Sequence, residues 1–122
     1  MNIYIICAVR NASEEKIDEI RRYVEFRRAL DGHHVHFPPD DVKQDDPTGE
    51  GICSAHRIAM LLADEVHVFW HVESSGSHFD LGMAYALNKK IVPCKIAHPD
   101  PPGKSYWKAV IDPQQIVNNE ES

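Results

Sequence analysis

Residues 66–86 read VHVFWHVESSGSHFDLGMAYA, and this stretch decides the fold. Its first part is a β-branched and aromatic run, Ser74, Ser75 and Gly76 interrupt it, and apolar residues then return at helical spacing. The pattern predicts a strand over 66–70, a loop over 71–76 and a helix from about Ser77 to Leu87. Such a junction aims unpaired backbone N–H groups and the positive end of a helix dipole at the space above the sheet, which suits a phosphate or another anion. Asp80 falls one turn into that helix.

The flanking chain repeats the alternation. Residues 3–9 form a short, nearly continuous apolar run, as in a strand buried on both faces of a parallel sheet, and Arg10 and Asn11 end it. Ser13 is placed to cap a helix with Glu14 and Glu15 in its first turn, Ile17, Ile20, Val24 and Leu30 on its apolar face and Gly32 at its end. Residues 33–37 read as a second strand stopped by Pro38-Pro39. A polar, acidic loop follows, Asp46-Pro47 opens a helix with Ile52, Ala55, Ile58, Ala59 and Leu62 inside, and residues 91–96 make a strand whose Pro93 needs an irregular or edge position. Asn88 is placed to end the helix before that strand. Residues 106–111 leave helix and strand both open. The expectation is a three-layer, doubly wound, flavodoxin- or Rossmann-like α/β fold, with four to five mostly parallel strands in the order 2-1-3-4(-5). Residues 1–117 form its single domain and 118–122 a loose tail. Ligands of such sheets lie beyond the carboxyl ends of the strands.

The length of 122 residues and the 43% hydrophobic content suit one ordinary globular domain. A formal net charge of -6 disfavours a nucleic acid polymer as partner but leaves room for a small anion held by local dipoles. Cys7, Cys53 and Cys94 are odd in number and have no C-x-x-C spacing, which reads as reduced thiols in or near the core and a cytoplasmic setting. Met1 leads directly into the first apolar run, which lacks a basic flank and is too short to span a bilayer, so no membrane partner is expected.

The segment Ser74-Ser75-Gly76-Ser77-His78-Phe79-Asp80-Leu81-Gly82-Met83-Ala84 resembles the G-[ST]-x-x-E-L-G-x-A signature of the nucleoside 2-deoxyribosyltransferase superfamily, which includes the 2'-deoxynucleoside 5'-monophosphate N-glycosidases. Ile3-Tyr4-Ile5 with Arg10, Ala63-Asp64-Glu65-Val66 and Asn88-Lys89-Lys90-Ile91 resemble further landmarks of those N-glycosidases, so the resemblance covers most of the chain. It implies an N-glycoside hydrolase or transferase acting on a nucleoside or nucleotide, needing no cofactor and assembling as a homo-oligomer, with Asn118 and Asn119 able to reach a neighbouring chain. It also implies a carboxylate nucleophile that attacks the anomeric carbon, as in retaining glycoside hydrolysis. The signature glutamate is here Asp80, shorter by one methylene or roughly 1.3–1.5 Å of reach. The family's aspartate on the preceding helix is here His56, which could act as general acid or orient Asp80. Tyr4 matches the strand tyrosine, and Arg10, Ser74, Gly76, Ser77 and His78 fall in the phosphate- and substrate-contacting turns.

Each residue also has a plainer reading. Ser77-x-x-Asp80 has capping-box spacing, Arg10 could be a solvated strand-end charge, Tyr4 a core residue and His56 a satisfied helix histidine. His33, His34, His36, His67, His71 and His78 lack the spacing of a zinc site, so no metal is expected. Trp70 and Phe79 read as core. A receiver domain would need an acidic pair after the first strand and a flavodoxin a Ser/Thr-rich loop there, and neither is present. The alternative function is a non-catalytic module binding a nucleotide or nucleotide-derived signal in the same pocket, motivated by the changes at both family acids.

Overall fold

The computed structural model describes residues 1–10, 12–30, 32–98 and 102–111, with the backbone alone at 97 and 98. The tail 118–122, with Asn118 and Asn119, lies outside the described residues. Four strands, β1 (Asn2–Ile6), β2 (His34–His36), β3 (Glu65–His71) and β4 (Lys90–His98), form one parallel sheet in the order β2-β1-β3-β4. Helices α1 (Glu14–Leu30), α2 (Pro38–Asp41), α3 (Glu50–Leu62) and α4 (Ser75–Ala86) connect them, and a π-helical turn over Trp107–Ile111 follows β4. The doubly wound α/β fold and its strand order match the expectation. The described residues contain no fifth strand, and the undecided segment ends in the π-turn.

Strand alternation divides the core into two layers. Tyr4, Ile6, Val66, Val68, Trp70 and Ile91 pack with Met60 of α3 and with Leu81 and Ala84 of α4. Ile3, Ile5, Cys7 and Val35 pack with Val24 of α1 on the opposite face. Each such side chain withdrawn from water contributes about 1.5–3 kcal/mol. Because α1 and α4 depart to opposite faces from the neighbouring strands β1 and β3, a crevice opens at the carboxyl edge between those strands.

Local chemistry sets the element ends. Ser13 Oγ accepts from Lys16 N at 3.3 Å at the start of α1, and Gly32 leaves that helix at φ +66°. Asn88, at φ 54°, ends α4 in the left-handed region. Pro38-Pro39 does not merely stop β2: both prolines occupy the first turn of α2, where no N–H is needed. Arg21 clamps that turn to α1 through two hydrogen bonds to Asp40, of 2.9 and 2.7 Å. Helix α3 starts at Glu50 rather than at Asp46-Pro47, because Gly49 takes φ +79° and Asp46 folds over the first turn to accept from Ile52 N at 3.0 Å. Pro93 sits on edge strand β4, and the pairing slips immediately after it, from Val68↔Pro93 to Phe69↔Lys95.

Several burial expectations are corrected. Ile58 and Leu62 of α3 are 60% and 64% exposed, since the helix turns His56 and Met60 inward instead. Leu30, at the end of α1, is also exposed, as is Phe79, which α4 points away from the sheet. The three cysteines are free thiols, but only Cys7 is buried, whereas Cys53 and Cys94 are exposed. No helix among the described residues is long and apolar enough to cross a membrane.

Candidate functional site

Three elements converge on the Asp80 carboxylate. Tyr4 comes from the middle of β1, His56 from the inner face of α3 and Asp80 from the second turn of α4, where it is 3% exposed. The Tyr4 hydroxyl donates to Asp80 Oδ2 at 2.9 Å, and His56 Nδ1 lies 3.1 Å from Asp80 Oδ1. Burial, and then the charge and hydrogen bond of Asp80, hold the Tyr4 phenol far above its ordinary range, so it keeps its proton and remains a donor. A carboxylate only accepts, so His56 carries its proton on Nδ1 and presents Nε2 as a lone pair when neutral and as a second N–H when protonated.

A second imidazole completes the cluster. His36 pairs with Tyr4 in the parallel register and therefore points to the same face, its ring 5.1 Å from that of Tyr4 and 6.0 Å from that of His56. Burial holds its pKa below the ordinary histidine range. In the sequence alone His36 stands out only as one of six histidines without zinc-site spacing. The signal that finds it is alternation: Val35 is buried under α1, so its neighbour must face the other way. Cys7 packs on the α1 face rather than in this cluster, and its thiol is pushed up to about 12, first by burial and then by the Asp80 charge, so it stays protonated.

Among the described residues, three buried side-chain atoms lack a hydrogen-bond partner: His36 Nε2, His56 Nε2 and Ser77 Oγ. Ser77 precedes Asp80 by three residues on α4 and is fully buried on the same helix face. All three orphans thus belong to one neighbourhood. A buried polar atom without a partner costs about 1–3 kcal/mol, so each of these three atoms would be stabilised by a hydrogen bond from water or from a ligand's polar group.

The loop residues sit apart from this cluster. Helix α4 begins at Ser75, two residues before the expected start, and its cap is Ser74, whose Oγ accepts from Ser77 N at 3.2 Å. The capping-box reading of Ser77 and Asp80 therefore fails, because both lie inside the helix with their side chains buried. His78 donates from Nδ1 to Ser74 O at 2.8 Å and packs 4.7 Å from the Trp70 ring. Gly76 is exposed at the first turn. Arg10 and Ser74 line a different space, an open groove of about 580 Å³ on the α1 side, with Ser13, Lys16, Phe69 and His71. The described residues thus gather Tyr4, His36, His56, Ser77 and Asp80 on the α3/α4 side of the crevice and Arg10 with Ser74 on the other. No group of three His, Cys, Asp or Glu among them could hold a metal ion.

Solved structures share this architecture. The CMP N-glycosidase BcmB of Clostridium botulinum matches at a TM-score of 0.56 and 21% identity, over 96% of this chain and 82% of that one. This chain shares the fold of that structure. A conserved protein from Enterococcus faecalis matches at a TM-score of 0.65 and 18% identity, over 100% of this chain and 75% of that one. No protein-family model and no curated protein matches the sequence. Both likenesses are of fold, the doubly wound α/β sheet described above.

Proposed function

We propose that this chain binds a nucleoside or nucleotide over the Asp80 cluster and cleaves its base–sugar N-glycosidic bond, with Asp80 as nucleophile. The observation that carries the reading is the set of orphaned buried atoms, His36 Nε2, His56 Nε2 and Ser77 Oγ, beside a carboxylate held from two sides. The N-glycosidase fold supports it. Tyr4 fixes one carboxylate oxygen by donation, and the other attacks the anomeric carbon. The C–N bond breaks with its electron pair going to the base, and His56, protonated on both nitrogens, supplies the proton from Nε2. Water then attacks the same carbon, gives a proton back to His56 Nε2 and frees the Asp80 carboxylate. A second nucleobase in the place of that water would make the reaction a transfer. Arg10 and the first N–H groups of α4 offer positive charge for the 5' end across the crevice.

A second reading rests on a specific feature. Asp80 is 3% exposed and both its oxygens already have partners, so the same cluster can serve a module that binds a nucleotide without turnover. The test is incubation with a panel of nucleosides and their 5'-monophosphates, both deoxy and ribo and including CMP, with chromatography for released base. Base release that Asp80→Asn abolishes while binding persists is the expected result. No release from any member at high protein concentration refutes the enzymatic reading, and calorimetric binding without consumption then establishes the second.

A further inference from the structure

Helices α3 and α4 cover one face of the sheet, whereas α1 is the one long helix on the other face among the described residues. Part of β3 and β4 beside α1 is thereby left open, and it forms the groove of about 580 Å³ that Arg10 and Ser74 line. That volume falls within the roughly 300–1,000 Å³ of sites that hold a whole small organic molecule, and it is far more than one phosphate group fills. A nucleotide whose 5' end reaches Arg10 and the start of α4 engages only part of it.

The remainder is amphipathic. Lys16 of α1 and Lys95 of β4 line it together with apolar Ile20, Phe69 and Ile96. Arg10 and Lys16 form no ion pair among the described residues, and Lys95 bonds Glu19 at 2.6 Å. Glu73 is the second acid of the lining and His71 its imidazole, so the three bases leave one positive charge in excess, in a chain of net charge -6. The start of α4, whose first turn holds no acid, adds about half a charge, whereas Glu14 and Glu15 offset the start of α1.

We propose that the groove takes the second half of a nucleoside 5'-diphosphate ester: the first phosphate at Arg10 and the start of α4, the second between Lys16 and Lys95, and the esterified organic group against Ile20, Phe69 and Ile96. This rests on the nucleotide reading of the Asp80 cluster and names the substrate class that the same crevice accepts. A monophosphate leaves both lysines and the apolar strip in water. A triphosphate brings a further charge to the place where the lining turns apolar, which costs solvation without a partner. The diphosphate ester sets anion against cation and organic surface against apolar surface.

Titration calorimetry tests this with three ligands of each common nucleoside, in ribo and deoxy form: the 5'-monophosphate, the 5'-triphosphate and the symmetrical dinucleoside 5',5'-diphosphate. The dinucleoside diphosphate is expected to bind at least about tenfold tighter than either of the others. Lys16→Met combined with Lys95→Met is expected to bring it within about twofold of the monophosphate, whereas Lys43→Met, outside the groove, leaves the ratio as in the wild-type chain. Both groove lysines are exposed, so the double variant should fold, which circular dichroism checks. A monophosphate that binds as tightly as the dinucleoside diphosphate overturns the proposal and leaves the nucleotide reading of the Asp80 cluster standing. A triphosphate that matches it, or an advantage that survives the double substitution, overturns the proposal equally. No binding of any of the three at about 1 mM, for every nucleoside, overturns both readings.

Discussion

Replacing Tyr4 by Phe removes one hydroxyl from the centre of the molecule and leaves the ring in place. Tyr4 is fully buried, and its hydroxyl donates at 2.9 Å to a carboxylate that is 3% exposed. Hydrogen bonds to charged groups contribute about 1.5–3 kcal/mol, against about 0.5–1.5 kcal/mol for a neutral pair. Tyr4→Phe should therefore lower the unfolding free energy by about 1.5–3 kcal/mol at neutral pH, a loss of several degrees in Tm for a chain of this size. The cost should shrink to about 1 kcal/mol when the substitution is made on an Asp80→Asn background, where the acceptor is a neutral amide. Denaturant titration of the four proteins of this cycle, with m-values compared, measures both figures. Equal costs in the two backgrounds would show that no charge-assisted bond exists at this site, and the assignment of Tyr4 as the donor that fixes Asp80 would fall with it.

Ser74→Ala removes the cap that accepts from Ser77 N, with an expected loss of about 1 kcal/mol that thermal or denaturant melts will register. His36 and His67 are both held below the ordinary histidine pKa by burial, so the unfolded chain binds more protons than the folded one once the pH drops below about 6.5. Stability contributed by these two neutral imidazoles is thus intact above that pH and declines as the pH falls toward their folded-state values; melts between pH 8 and 5 should show the fall, and imidazole NMR should find both titrating late. If Asp80 is limited by its missing methylene, Asp80→Glu should raise base release by up to about a hundredfold, whereas an unchanged or lower rate would mean that reach is not what limits the site. His56→Gln keeps a donor to Asp80 but loses the second proton, and should lower turnover by about 10²–10⁴ with substrate binding retained.

The parts of this molecule that were legible in sequence are those where a single local rule decides. The apolar runs of β1 and β3, the Ser13 cap, Gly32 and Asn88 each carry their own signal, and alternation then fixes the parallel order. Facing direction was less legible. Apolar spacing on α3 placed Ile58 and Leu62 inside, but the helix is set by the contacts of Met60 and His56 with residues far away in sequence. The same holds for Asp80, where a local capping pattern competed with a bond to Tyr4 from 76 residues earlier, and the distant partner prevailed. Ser74 could take over the cap because the helix starts earlier than its apolar spacing suggests. His36 was hidden for a related reason: its place depends on a register with β1 that no short window contains.

Asp80 and His56, the two positions at which this chain departs from the pattern it resembles, are linked by geometry. With an acidic residue in place of His56, two carboxyl groups would stand a hydrogen bond apart in a buried space, and like charges there cannot both ionise cheaply. His56 removes that conflict by placing a donor 3.1 Å from Asp80 Oδ1, and Tyr4 supplies a second donor to Oδ2. The carboxylate is thereby held and restrained from both sides. For Asp80 to reach a sugar carbon, one of these bonds must lengthen as the new one forms. The His56 side is the one that can yield, because the imidazole is 12% exposed and turns its other nitrogen toward no protein group, whereas Tyr4 is fixed in a strand at the centre of the sheet. The bond from Tyr4 therefore sets where Asp80 sits, and the bond from His56 decides whether it can leave.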